Sequence, residues 1–168
     1  MRTSRAGHKS ALDAFAYESP IGLLSIRFAG GVLVEIRFSN EALGANELPV
    51  GHPVCRWLDA FFAGDPSARR VDLEMNLVAT PFQRTVLDAT ASIPWGEVRT
   101  YGWVADQIGQ PGAARAVGRA LGANPLPLVI PCHRVVAAGS GGGYGAGMHH
   151  KEYLLALERG EHPATATG

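Results

Sequence analysis

Hydrophobic and polar positions divide the chain near residue 78 into a strand-patterned half and a helix-patterned half. Phe15 to Tyr17, Ile21 to Phe28 and Val32 to Phe38 are short apolar-rich runs, the last alternating apolar and polar as a half-buried strand should. Ser19-Pro20 punctuates the first two runs and Ala29-Gly30-Gly31 offers a hairpin turn, so the pattern predicts a β-meander. Residues 1–13 read as a weakly ordered leader and Asn40 to Pro49 as loop. In Pro53 to Ala63, Val54, Trp57, Leu58 and Phe61 recur at helical spacing, with Cys55 in a packing role and Gly64-Asp65-Pro66 as the stop. Val71 to Leu77 predicts one more short strand.

The second half opens on a strong helix start. Thr80 can cap, Pro81 has no donor to waste at the first helical position, and Gln83 can complete a capping box. Phe82, Val86, Ala89 and Ile93 line one face before Pro94 stops the helix. Thr100 caps a short helix from Tyr101 to Ile108, and Gln110-Pro111-Gly112 leads to another, Ala113 to Leu121. The first turns Val104 and Ile108 inward. The second buries Ala114, Val117 and Leu121 and carries Arg115 and Arg119 elsewhere. Two short helices joined by a Gly-containing turn predict a helix-turn-helix, whose second helix is rich in small residues such as Gly118 and can approach a backbone closely. Gly139 to Gly147 is a flexible stretch, Lys151 to Glu158 a helix, and the tail from Glu161 disordered. The expected architecture is α/β of the α+β type. A small β-rich domain with a helix (residues 14–78) precedes a mainly α domain with a helix-turn-helix (residues 79–160).

A hydrophobic content of 46% supplies core material without any run long enough for a membrane span. The polar start has no secretory h-region, and two cysteines, Cys55 and Cys132, make no disulfide framework, so a cytoplasmic protein is expected. Net charge is zero, which advertises no polyanion partner. The distribution changes that picture: Gln110 to His150 contains no Asp or Glu but holds Arg115, Arg119 and Arg134.

Candidate chemistry lies in that acid-free stretch, at Ile130-Pro131-Cys132-His133-Arg134-Val135-Val136. Apolar residues on both sides predict a buried cysteine, and a neighbouring base or positive charge favours its thiolate, the nucleophilic form. With Asn124-Pro125-Leu126-Pro127 before it, the segment closely resembles the active-site segment of the 6-O-alkylguanine-DNA alkyltransferases, or methylated-DNA–protein-cysteine methyltransferases. The resemblance runs in outline from Tyr17 to Gly160 and is specific from Thr80 onward. It implies direct reversal of DNA damage: the alkyl group of 6-O-alkylguanine, and by extension of 4-O-alkylthymine, passes irreversibly to a cysteine of the protein. No cofactor is implied, and the expected partner of the monomer is duplex DNA carrying the lesion, with no membrane involved. When bound to DNA the protein would be nucleoid-associated.

By this resemblance Cys132 is the acceptor, His133 the base acting through a water, Glu158 the carboxylate orienting it, and Asn124 the residue tying the preceding turn to the segment. Arg115, beside Gly118 and Arg119 on a minor-groove helix, would fill the space of the flipped nucleotide, and Tyr101 would contact the base and phosphate. The carbonyls of Cys132 and Val135 would take the exocyclic amine and the Gly145 N–H the 6-oxygen, with Tyr144 and Pro127 as walls. Some relatives carry serine at Gly145, where a backbone donor suffices. Some also bind zinc in the N-terminal domain; here Cys55, His8 and His52 are too few and poorly spaced, His149-His150 reads as solvent-exposed, and no metal is expected. Three rivals stand beside this reading. A non-catalytic alkyltransferase-like lesion sensor would carry tryptophan at the cysteine position. A cysteine hydrolase would need a second oxyanion device. A plain helix-turn-helix DNA-binding protein would have no use for a buried Cys-His pair.

Overall fold

The computed structural model describes residues 12–39, 46–69, 75–139 and 147–163. Three antiparallel strands come first: β1 (Leu12–Ser19), β2 (Gly22–Ala29) and β3 (Val32–Ser39). Gly30 and Gly31 both hold positive φ (59° and 84°), as the turn of a tight two-residue hairpin requires. β1 extends into the expected leader, because Leu12 and Asp13 pair with Ala29 and Phe28. A two-residue strand, β4 (Asn46–Glu47), runs parallel to β1 at Phe15 and Ala16, giving the order β3-β2-β1-β4. The sequence reads that stretch as loop, since two polar residues carry no alternation and only the neighbouring strand recruits them. Of Val71 to Leu77, Met75 makes an isolated bridge to Leu33, and residues 71–74 lie outside the described residues.

Helix α1 (Pro53–Phe62) starts at His52, whose Nδ1 accepts from the Val54 N–H, and buries Val54, Trp57, Leu58 and Phe61. Its other side meets β1: Tyr17 stacks on Phe62 with centroids 6.3 Å apart and donates its hydroxyl to Asp59 at 2.8 Å. Cys55 is half-buried here, its sulfur 3.8 Å from an Asp59 oxygen.

Helix α2 (Pro81–Ala91) is capped by Thr80, which accepts from the Gln83 N–H at 3.2 Å. The expected capping box is not completed. The Gln83 amide instead donates to the carbonyls of Ala120 (3.3 Å) and Ala123 (3.0 Å) at the end of a later helix, where the Ala120 carbonyl also accepts a bond of 3.3 Å from the Ala123 N–H. Strand β5 (Arg99–Thr100) leads into α3 (Tyr101–Gln107), where Thr100 accepts from the Trp103 N–H. Helix α4 (Ala114–Gly122) follows, one residue later than expected, with Ala114 half-buried and Val117, Ala120 and Leu121 buried. Helices α2, α3 and α4 pack together. A 3-10 turn, Cys132–Arg134, then passes into β6 (Val135–Val136), which pairs in parallel with β5.

Helix α5 (Met148–Glu158) begins three residues before Lys151. It makes His150 half-buried rather than solvent-exposed: its ring bonds the Ile21 carbonyl at 2.8 Å and lies 4.7 Å from Phe38. The two halves share one hydrophobic core, and the Ile36 N–H donates to the Pro125 carbonyl across them at 2.9 Å. No helix among the described residues is long and apolar enough to cross a membrane.

Gln83→Ala removes the side-chain donor to the Ala120 and Ala123 carbonyls at the end of α4, at a net cost of about 1 kcal/mol. At this chain length the melting temperature should fall by about 2–4 °C. An unchanged thermal melt would show that the Gln83 bonds do not hold α4.

Candidate active site

The segment entering the site is shaped before it reaches the cysteine. Asn124 accepts the Leu126 N–H on its side-chain oxygen and donates its amide to the Ile130 carbonyl, both at 3.0 Å, which closes the loop between them. Within it Leu128 is 3% exposed at φ 72°, a left-handed conformation that a bulky side chain adopts only under constraint from its surroundings. The chain then enters the 3-10 turn with Cys132, His133 and Arg134 all buried.

Behind the cysteine lies a buried ionic cluster centred on Glu158. His133 Nε2 is 2.7 Å from Glu158 Oε1. Arg134 donates from Nε to both carboxylate oxygens (3.1 and 2.8 Å) and from Nη2 to Oε1 (2.8 Å). The Gly96 N–H adds a bond to Oε2 at 3.1 Å. Gly96 has φ 77°, and a Cβ there would sit 3.2 Å from the Glu158 carbonyl oxygen, so a side chain would push the turn off the helix end. Arg134 Nη1 also reaches the Ile93 carbonyl at 2.6 Å, and its guanidinium lies 5.6 Å from the Trp95 ring centre.

Burial pushes the Glu158 carboxyl up, but the bonds and charges of His133 and Arg134 outweigh it and hold the group down to about 2. Burial pushes His133 below its ordinary value; Glu158 opposes this, and the charges of Arg134 and Lys151 reinforce it. The ring is therefore neutral beside an ionised carboxylate. Its Nε2 carries the proton given to Glu158, leaving a lone pair on Nδ1. That nitrogen is buried and has no hydrogen-bond partner among the described residues.

In front of the cysteine is a cavity of about 610 Å³, lined by Tyr101, Gly118, Asn124, Pro127 and Cys132 together with Glu35, Ile36, Arg37 and Phe38 of β3. Gly118 lies against Tyr101, where a Cβ would be 3.8 Å from the ring. Tyr101 is half-buried; burial and the Cys132 charge raise its hydroxyl pKa. Arg115 and Arg119 are exposed on α4. Val135 is buried, with its carbonyl accepting from Lys151 at 2.7 Å. Tyr144 and Gly145 lie outside the described residues. The fold thus brings Tyr101, Gly118, Asn124, Pro127 and Cys132 to one cavity and His133 and Glu158 behind it, with Arg115 and Arg119 on the exposed side of α4. Arg134, counted among the positive charges of the acid-free stretch, is withdrawn from solvent by Glu158.

A sequence model described as "6-O-methylguanine DNA methyltransferase, DNA binding domain" matches residues 81–160. The methylated-DNA–protein-cysteine methyltransferase of Mycolicibacterium paratuberculosis is 45% identical over 157 residues, covering 89% of this chain and 94% of that protein. The chain belongs to the methylated-DNA–protein-cysteine methyltransferase family. A Methanosarcina acetivorans member is 37% identical over 153 residues, spanning 84% of this chain and 95% of its own. The crystal structure of Mycobacterium tuberculosis OGT in complex with DNA superposes with a TM-score of 0.79 at 41% identity, covering 91% of this chain and 96% of that one.

Beyond the residues that the family motif marks, three features of this methyltransferase family member are not apparent from the motif alone. Arg134 clamps Glu158, Gly96 caps it, and β3 walls the cavity. A fourth, Lys151, is 1% exposed. It had a signal: it lies three and seven residues before Leu154 and Glu158, on the same inward helix face.

Both His133 and Glu158 bind protons less readily in the folded chain than in the unfolded one. Their contributions to stability are complete above the ordinary values of 6.5 and 4.5 and are lost as pH falls, the Glu158 share down to about 2. Urea midpoints should therefore drop from about pH 6.5 downward. Glu158→Gln should lower stability by about 3–5 kcal/mol, because it strands the Arg134 charge, and should flatten the acid limb. A wild-type profile flat over this range would contradict the ionised cluster.

Proposed function

We propose that this chain repairs 6-O-alkylguanine in duplex DNA by moving the alkyl group to Cys132, once per molecule. The observation carrying this reading is that Cys132 lines a cavity shared with the helix-turn-helix residues Tyr101 and Gly118, with the His133–Glu158 pair directly behind it. His133 Nδ1 takes the thiol proton through a bridging water. The sulfur attacks the alkyl carbon in line, the S–C bond forms and the C–O bond breaks. The electron pair stays on the purine, which regains a proton to become guanine. The thioether has no ready leaving group, so no second turnover follows. Orientation and a stabilised thiolate supply the rate, without metal or cofactor.

The nucleotide must leave the stack, at a cost of a few kcal/mol. We assign Arg115 to the vacated space and Tyr101 to the base and its phosphate, with Arg119 and the close-approaching Gly118 holding α4 in the minor groove. The Val135 carbonyl takes the exocyclic amine, and Pro127 walls the pocket. Division of labour falls near Val78–Ala79, with recognition and chemistry after it. The acceptor must remain a thiol, which fits the reducing cytoplasm and a monomer working on nucleoid DNA.

Mixing the protein with methylated duplex should add one methyl per chain, mapped by mass to Cys132. Cys132→Ser should still bind DNA yet show no gain, because a hydroxyl is a far weaker nucleophile of nearly the same shape. Methyl removal by this variant would rule out Cys132 as acceptor. Arg115→Ala should slow duplex repair by at least about tenfold while sparing reaction with free 6-O-benzylguanine, since only the duplex requires extrusion. Equal losses on both substrates would put Arg115 in the chemistry or the fold.

A further inference from the structure

A residue of the first half closes off the imidazole from behind. Phe61, near the end of α1, is 1% exposed, and its ring meets the His133 ring edge-on, with centres 6.5 Å apart and planes at 88°. The Trp95 ring meets Phe61 in the same way at 5.3 Å, and Trp95 in turn lies against the Arg134 guanidinium. The chain after α1 stays close to the end of α5, since a Cβ on Gly64 would lie 3.5 Å from the Leu157 side chain. A cavity of about 470 Å³, bordered by Pro66, Ile93, Trp95 and Arg134, lies on this side of the cluster. Space that can hold water thus comes up to Trp95, and Phe61 fills volume behind that ring.

The groups facing His133 pull in opposite directions. Glu158 of α5, 2.7 Å away, favours a protonated ring, while Arg134 beside it and Lys151 of α5 oppose one. Cys132 precedes it on the 3-10 turn. The buried face of α1 adds no charge, because Val54, Trp57, Leu58 and Phe61 are all apolar. What α1 contributes is the exclusion of water, and dry surroundings favour the neutral ring. A protonated ring has no lone pair on Nδ1 with which to take the thiol proton.

We propose that Phe61 is a positioning residue of the alkyl transfer: it seals the back of the His133–Glu158 pair against water. The inference rests on His133 as the base. Removing the ring would leave a space bordered by the imidazole, with the Glu158 carboxylate next to it, and polar partners of this kind hold a water. Solvated beside an ionised carboxylate, the imidazole takes up a proton more readily, and the base is lost at a higher pH.

The test follows the His133 ring by NMR across pH in the full chain, its signals assigned by their loss in His133→Asn. The unsubstituted protein should titrate below the ordinary 6.5. Phe61→Ala should raise the midpoint by at least about one pH unit. Phe61→Leu, which refills most of the space with apolar atoms, should move it by less than about half as much. Single-turnover transfer from free 6-O-benzylguanine should follow the ring. It should be about tenfold slower in Phe61→Ala below both midpoints and parental above them. A structural role alone would lower the rate at every pH and leave the midpoint in place.

A parental midpoint in Phe61→Ala would overturn the proposal. Equal shifts in both variants would overturn it too, by tying the effect to the aromatic ring and not to water. Should Phe61→Ala fail to fold, the unsubstituted protein decides, since a midpoint at or above 6.5 would show that no seal exists. The ring titration needs neither lesion nor transfer. A shifted ring with an unmoved transfer profile would therefore count against His133 as the base and leave the seal standing.

Discussion

A single carboxylate holds three separated segments of the chain in one arrangement. Glu158 closes α5, Gly96 turns the chain after α2, and His133 and Arg134 follow the cysteine; each places a donor on the same two oxygens. Arg134 extends the link to the end of α2 through the Ile93 carbonyl. A buried ion pair of this kind adds little net stability over an apolar replacement, whereas removing either partner strands a charge. Its value lies in fixing which nitrogen of His133 is protonated. With the carboxylate ionised, Nε2 must donate, and the lone pair is turned the other way.

The strand-rich half contributes to this chemistry although it holds neither the cysteine nor the base. Phe61 of α1 meets the His133 ring edge-on at 6.5 Å and the Trp95 ring at 5.3 Å, so an apolar wall built by the first half desolvates the imidazole. Residues 35–38 of β3 form one side of the cavity, and the Ile36–Pro125 bond fixes that side to the loop leading to Cys132. A helical half lacking these contacts would leave His133 more exposed, more basic and readily protonated. The first half thus sets a protonation state as well as supplying core.

Local features of the fold are legible in the sequence because their causes are local. Gly30-Gly31 between apolar runs specifies a hairpin, and Thr80-Pro81 specifies a helix start, each within a few residues. Gln83 shows where that legibility ends. Its spacing from Thr80 fits a capping box, but the carbonyls of Ala120 and Ala123, 37 and 40 residues away in sequence, engage the same amide. The site divides in the same way. Cys132 and His133 are adjacent in sequence and the inward face of Glu158 follows from helical spacing. Arg134 looks like a charge available to the thiol until the fold sets it against Glu158. The β3 wall and the Gly96 contact arise only from tertiary packing, and nothing near them in sequence announces it.

Zero net charge conceals an uneven local field, and the pairing pattern decides its sign at the cavity. The acid-free stretch alone overstates the positive charge there, because Glu158 neutralises Arg134. The cavity wall restores part of it. Glu35 is met by Arg27 at 3.3 Å and by Arg37 at 2.7 Å, two cations for one anion, so this corner of β3 is net positive. Arg115 and Arg119 stand exposed on α4, the helix that lines the same cavity through Gly118. Exposed charges act over about a Debye length, so these arginines attract a phosphate backbone locally while acids elsewhere in the chain are screened. Overall neutrality and a polyanionic substrate are compatible because the cations are concentrated at the cavity.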